Sequence, residues 1–177
     1  MKTCPENVKL LTTWKTVMPI IQIKMVIEAP IDRCFDLSRS IDLHKISTSH
    51  TGEEAIAGVT SGLIGLGETV IWRARHFGIR QTLTTKITKF DSPNFFVDEM
   101  VEGAFKRFRH EHHFRDVDGK TEMRDCFDYD SPLGILGKVF DSIVLKRYMQ
   151  NLLEQRNLII KEYAESDKWK KVILDPE

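Results

Sequence analysis

Two hydrophobic periods occur along this chain, and the places where one replaces the other divide it into elements. Ile20–Ile27, after Pro19, is an apolar and β-branched run that reads as a first strand. Pro30 opens a short helix over Ile31–Leu37, since proline suits a first turn where its missing N–H costs nothing. Ser40–Ile46 reads as a second short helix with Ser40 as its cap. From Thr51 the period becomes two, and six strands are expected at about 51–57, 68–77, 79–90, 94–101, 104–117 and 120–130. Phe77-Gly78, Ser92-Pro93-Asn94, Glu102-Gly103 and Asp118-Gly119 mark the turns, and links this short join antiparallel neighbours.

After Ser131-Pro132 the helical period returns over Ile135–Ala164, about 30 residues and so ~45 Å of helix. Leu136, Phe140, Ile143, Val144, Tyr148, Leu152, Ile159 and Tyr163 follow three- and four-residue steps on one side. Lys138, Ser142, Lys146, Gln150, Glu154, Asn157 and Lys161 are expected on the opposite, polar side. Gly134 and Gly137 loosen the helix start. Residues 1–19 read as an N-terminal extension, 20–164 as one domain, and 165–177 as a charged tail. The order of elements predicts an α+β fold: a bent antiparallel sheet whose buried face only the last helix is long enough to cover, with room for a cavity between them.

The hairpin at 118–119 sorts the faces. With Asp118 and Gly119 as the two turn residues, Val117 sits opposite Lys120 and the register follows by counting back. Phe114 then faces Met123, His112 faces Asp125, His110 faces Phe127, and Phe108 faces Tyr129, all on the covered side. On the other side Arg115 meets Glu122 and Arg109 meets Asp128, opposite charges that suit solvent. In the strand over 68–77, Arg73 and Arg75 face water, which turns Val70, Trp72, Ala74 and His76 inward. In the strand over 94–101 the face with Phe96, Asp98 and Met100 is expected inside.

Composition narrows the function classes. Lysine plus arginine equals aspartate plus glutamate, 26 each in 177 residues, so no net field points to nucleic acid or an anionic membrane. The basic stripe of Lys106, Arg107, Arg109 and Arg115 is neutralised by Glu111, Glu122 and Asp128. Three widely spaced cysteines, Cys4, Cys34 and Cys126, with no CxxC, predict neither a disulfide framework nor a cysteine metal site. No secretory pattern opens the chain and no apolar run reaches the ~18 residues of a membrane span, so a cytoplasmic protein without stable membrane insertion is expected.

Gly67-Glu68-Thr69-Val70-Ile71-Trp72-Arg73-Ala74, His76-Phe77-Gly78, Phe96-Val97-Asp98-Glu99, Gly103-Ala104-Phe105, His110-Glu111-His112-His113-Phe114, Gly119-Lys120-Thr121, Asp125 and Tyr129-Asp130-Ser131-Pro132-Leu133-Gly134 resemble a bacterial branch of the START and Bet v 1-like (SRPBCC) superfamily. That group includes polyketide cyclases, dehydrases and lipid-transport proteins. The likeness runs from about Ile20 to Tyr163. It implies the helix-grip fold: a seven-stranded antiparallel sheet, two short helices between its first two strands, and a cavity gripped by the C-terminal helix. Binding proteins and enzymes share that fold, so the fold does not choose between them.

The expected site lies inside. An apolar or amphipathic ligand would rest on Trp72, Phe96, Phe108, Phe114, Phe127 and Tyr129 and on the helix residues Phe140, Val144 and Tyr148. Its polar end would meet His110, His112 and Asp125, with His76 or Asp98. His112 opposite Asp125 could serve as an acid–base pair in a cyclase or dehydratase needing no cofactor, or as a satisfied polar pair that orders a ligand. His110, His112 and Asp125 share a face and could ligate a metal, with His76 or Asp98 as a fourth ligand, although histidines lining a polar end are the expected reading. His113 is expected outside, and His44 and His50 have no visible partner. The glycine-rich stretch 58–67 lacks the lysine of a phosphate loop; it reads as a hairpin loop tipped by Leu63, Ile64 and Leu66, either a mobile lid or simply packed. An interaction module that signals through a protein partner is a third possibility, which the sequence allows without arguing for it.

Overall fold

A computed structural model describes residues 20–130 and 144–173. The elements run β1 (Ile20–Ile27), α1 (Ile31–Ser38), α2 (Ile41–Ser47), a short 3-10 turn (Ser49–Thr51), β2 (Glu54–Gly58), β3 (Thr69–His76), β4 (Ile79–Asp91), β5 (Phe95–Glu102), β6 (Arg107–Val117), β7 (Lys120–Asp130), α3 (Lys146–Ala164) and α4 (Trp169–Ile173). The expected extension 1–19, the first part of the expected long helix with Phe140, Gly134 and Gly137, and the end of the tail lie outside the described residues. From Lys146 onward the helix runs to the expected end at Ala164, but its buried stripe is Leu153, Arg156, Asn157, Ile160 and Ala164, while the expected Tyr148, Leu152, Ile159 and Tyr163 are only half-buried.

The seven strands form one sheet in the order β1-β7-β6-β5-β4-β3-β2, every pair antiparallel. Strands β1 and β2 are successive in sequence yet lie at opposite edges, so α1 and α2 must cross between them. Register shifts at Ala55/Ala57 in β2 and at Thr84/Thr85 and Ile87/Lys89 in β4 interrupt the ladder, and such bulges bend strands and raise their twist. The expected caps and turns form: Ser40 Oγ accepts from Leu43 N at 3.2 Å, and Asp118 and Gly119 both take positive φ (54° and 78°). Val117 pairs with Lys120 and His112 with Asp125, as counted from that turn.

One expected ion pair is redirected. Arg109 lies opposite Asp128, but its guanidinium bonds Glu99 (2.7 Å) and Glu111 (2.9 Å), while Arg107 takes Asp128 at 3.0 Å. A long arginine reaches diagonal neighbours as easily as the residue opposite. The face expected to be wholly solvent also holds buried groups at its centre: Val97, Glu111 and Cys126 are all under 10% exposed. Cys34 is buried and free, whereas Cys126 is disulfide-bonded, a single bridge that the cysteine spacing did not announce. Spacing along a chain says nothing of distance across a fold.

The core has two lobes on the concave side. The first centres on Phe35 of α1, which meets Phe90, Phe96 and Phe114 edge-on at 5.3, 5.6 and 5.5 Å between ring centres. The second joins Ile21, Phe108, Phe127 and Tyr129 of the sheet to Leu145 and Leu153. The 58–67 loop belongs to the first lobe. Ile64 is 5% exposed, its N–H bonds Arg39 O at 3.2 Å, and Gly62 N bonds Asp42 Oδ2 at 2.7 Å. Of its apolar side chains Ile64 packs inward and only Leu66 stands largely exposed, so the loop is anchored to α1 and α2 at its middle. Gly58 is required where β3 passes: its φ is +76° and a Cβ would sit 2.2 Å from Thr69 O.

Candidate functional site

Between the second core lobe and α3 lies a cavity of about 270 Å³. Its apolar wall comes from Trp72 and Leu83 of β3 and β4, Phe108 and Phe127 of β6 and β7, and Leu145 and Leu153 on the helical side. These strand residues share one face because side chains alternate along a strand, and the bent sheet turns that face toward α3. Polar atoms reach the space from Asp98, His110 and Arg156, from His44 with Glu53, and from His76 with Tyr148.

The expected site residues divide into two groups. Trp72, His76, Asp98, Phe108, His110, Phe127 and Tyr148 border the cavity. Phe96 and Phe114 do not; they are consumed in packing against Phe35. His112, Asp125 and Tyr129, each at most 1% exposed, lie behind the wall. Val144 is 41% exposed and turns away from the cavity. Phe140 is outside the described residues.

The buried polar knot is larger than the sequence suggested. His112 Nδ1 lies 2.6 Å from Asp125 Oδ1, and His110 Nε2 lies 3.4 Å from the same oxygen. His110 Nδ1 in turn is 3.8 Å from Asp98 Oδ1. The two imidazoles lie against each other, 3.9 Å between centres, and His112 stacks on Phe96 at 4.2 Å. From the other side Asn157 of α3 donates to Asp125 Oδ2. Asn157 is 1% exposed, contrary to its expected place on the polar face of the helix. It belongs to the stripe Leu153, Arg156, Asn157, Ile160 and Ala164, and the carboxylate across from it explains an amide there.

Burial disfavours charge on His112 and, with the neighbouring His110, holds its pKa well below the ordinary value of 6.5 despite the pull of Asp125. Burial pushes Asp125 the other way, but the attraction and hydrogen bonds of the two histidines outweigh it and hold its carboxyl well below the usual range. At neutral pH the pair is therefore an imidazole beside a carboxylate. Asp98 is pushed up by burial, against the opposing attraction of His110 and Arg156.

Sequence reasoning missed several lining groups, among them the polar His44, Glu53 and Arg156. His44 of α2 lies over Trp72, 4.2 Å between ring centres, with Nε2 3.4 Å from Glu53 Oε2. Burial raises the Glu53 carboxyl, yet His44 brings it below its ordinary value. Arg156 is 8% exposed; its Nη2 donates to Ser38 O at 2.7 Å and Nη1 to Asn157 Oδ1 at 3.4 Å. No carboxylate among the described residues lies within ion-pair distance of it. The signal for Arg156 and Asn157 was present: both sit at helical steps from Leu153 and Ile160. His76 Nδ1 and the Tyr148 hydroxyl are 2.8 Å apart, joining β3 to α3 beside the cavity. Burial lowers the His76 pKa and raises that of Tyr148. No helix among the described residues is long and apolar enough to cross a membrane.

No family profile matches the chain, and no curated protein is similar to it in sequence. Solved structures are similar in fold. TTHA0849 from Thermus thermophilus superposes with a TM-score of 0.68 at 19% identity, over 82% of this chain and 97% of that one. A START superfamily protein from Mycobacterium smegmatis gives 0.63 at 10% identity, over 82% and 97%. The ginseng major latex-like protein 151 from Panax ginseng gives 0.61 at 16% identity, over 85% and 99%. Likeness at such identities carries the architecture, and with the sheet order and C-terminal helix described above it assigns this chain the helix-grip fold of START and Bet v 1-like proteins.

Proposed function

We propose that the protein binds a small amphipathic molecule and holds it between the sheet and α3, as a carrier or receptor. The observation that carries this reading is the cavity itself: about 270 Å³ of space with a mainly apolar wall and a few polar groups that converge on it. Trp72, Phe108, Phe127 and Leu153 would pack the molecule's body. Arg156, Asp98 and His110 would meet a hydroxyl, carbonyl or carboxylate at its polar end. Arg156 supports this most directly, since a buried guanidinium with no carboxylate partner among the described residues favours an oxygen-bearing ligand.

The acid–base alternative draws less support. His112 and Asp125, the residues expected to carry it, lie behind the wall, whereas chemistry needs a group within hydrogen-bond reach of the substrate. His110 alone of that trio borders the space.

The test is uptake of 2-naphthol, followed by its own fluorescence, together with native mass spectrometry of the protein as purified. Wild type should take up the probe or arrive with a molecule bound. Leu153→Trp, which fills the cavity from α3, should weaken uptake at least about tenfold, the loss expected when roughly 1.4 kcal/mol of contact is removed. A wild type that carries nothing and takes up no apolar probe ends the reading.

A further inference from the structure

The polar knot has more acceptors and donors than the fold uses. Asp98 Oδ1, His110 Nε2, His112 Nδ1 and Asp125 Oδ1 are buried atoms without an aligned hydrogen bond, although they crowd within ion-pair distances of one another. Asp125 Oδ1 can take a nitrogen from each histidine, but buried Asp98 Oδ1 is left facing the far nitrogen of His110 at 3.8 Å, a position that an ion would complete. We propose that Asp98, His110 and His112 form a binding site for a divalent transition metal of the zinc type at the polar edge of the cavity.

One donor atom from each of these three side chains lies within 4.8 Å of the others. Asp125 faces His112 Nδ1 and His110 Nε2, which leaves His112 Nε2 and His110 Nδ1 to ligate, the latter already beside Asp98. A carboxylate behind a ligating imidazole fixes its tautomer and raises its basicity, and Asn157 holds that carboxylate from α3. Asp125 is thus a positioning residue and the other three are ligands. Zinc bonds of about 2.0–2.2 Å in a tetrahedron need donors roughly 3.4 Å apart, so the site must tighten by about 1 Å. Asp98 is the group free to move, because its side chain is 26% exposed while those of both histidines are under 10%. Charge favours a cation: the two carboxylates of Asp98 and Asp125 outweigh the single positive charge of nearby Arg156. Two imidazoles and one carboxylate suit zinc, cobalt or iron(II) and disfavour magnesium and calcium, which take oxygen ligands. Three protein ligands leave a coordination position open, and Asp98 and His110 border the cavity, so that position faces the bound molecule.

The experiment uses the tag-free protein stripped with a chelator, then zinc alone by equilibrium dialysis and cobalt(II) by visible absorption. Wild type should take up one zinc per chain with micromolar or tighter affinity, show the intense visible bands of low-coordinate cobalt, and ignore magnesium. Asp98→Asn and His110→Ala should weaken uptake at least about tenfold, and Asp125→Asn by roughly 10–100-fold through the ligands it orients. His50→Ala, at an exposed histidine, should change nothing. Absence of stoichiometric uptake, or uptake indifferent to both Asp98→Asn and His110→Ala, overturns the site. Far-ultraviolet circular dichroism of the same stripped samples shows that the variants are folded, and naphthol uptake by stripped wild type reports the cavity separately from the metal.

Discussion

Asn157→Asp gives the sharpest test of the buried network. The substitution keeps the shape of the side chain but sets a second carboxyl where the amide donates to Asp125 Oδ2, with both residues 1% exposed. Two full charges about 3 Å apart repel by roughly 5–6 kcal/mol at an effective dielectric of about 20. The pair avoids that by keeping one proton, which then replaces the lost amide hydrogen. A shared proton means a folded pKa raised above the ordinary aspartate value of 3.8. The sign follows: below that ordinary value the variant suffers no linkage penalty, and stability falls as pH rises toward the folded pKa, by about 1.4 kcal/mol per pH unit. At pH 7 about 4 kcal/mol is lost, short of the Coulomb ceiling. The assay is urea denaturation followed by tryptophan fluorescence at pH 5, 6 and 7, in chelator, with wild type at each pH so that every other titration cancels. A penalty under about 1 kcal/mol at pH 7, or one that does not grow between pH 5 and 7, would refute the claim that Asp125 is an ionised carboxylate held by Asn157.

Two further outcomes follow from the packing. Ile64→Ala should cost about 2–4 kcal/mol in the same assay, the range for truncating a buried isoleucine, because Ile64 is buried in the first core lobe; a free lid would lose almost nothing. Alkylation of the unfolded, unreduced chain should label Cys34 and spare Cys126 until a reductant is added, read by peptide mass spectrometry; modification of Cys126 without reductant refutes the disulfide.

The legible and illegible parts of this fold differ by the range of the interaction that decides them. Strand order around 118–119 was legible because one two-residue turn fixes the register of two whole strands, and the period of two then assigns every face. Face, however, is not depth. His112 and His110 share a face, yet one stacks beneath Phe96 while the other borders the cavity, because Phe35 of α1 fills the sheet's first half and α3 stands off the second. That division is set by a helix far away in the chain, which no strand pattern reports. The same limit hid Arg156 and Asn157. Read alone they are polar residues on an amphipathic helix and belong outside. Read against a carboxylate already placed inside by the hairpin, a polar pair at helical steps from Leu153 and Ile160 is what the buried charge of Asp125 demands from the element that covers it. A predicted interior charge is therefore itself a search rule: the covering helix must supply its donor, and the polar residue that interrupts the apolar stripe names the register in which that helix lies.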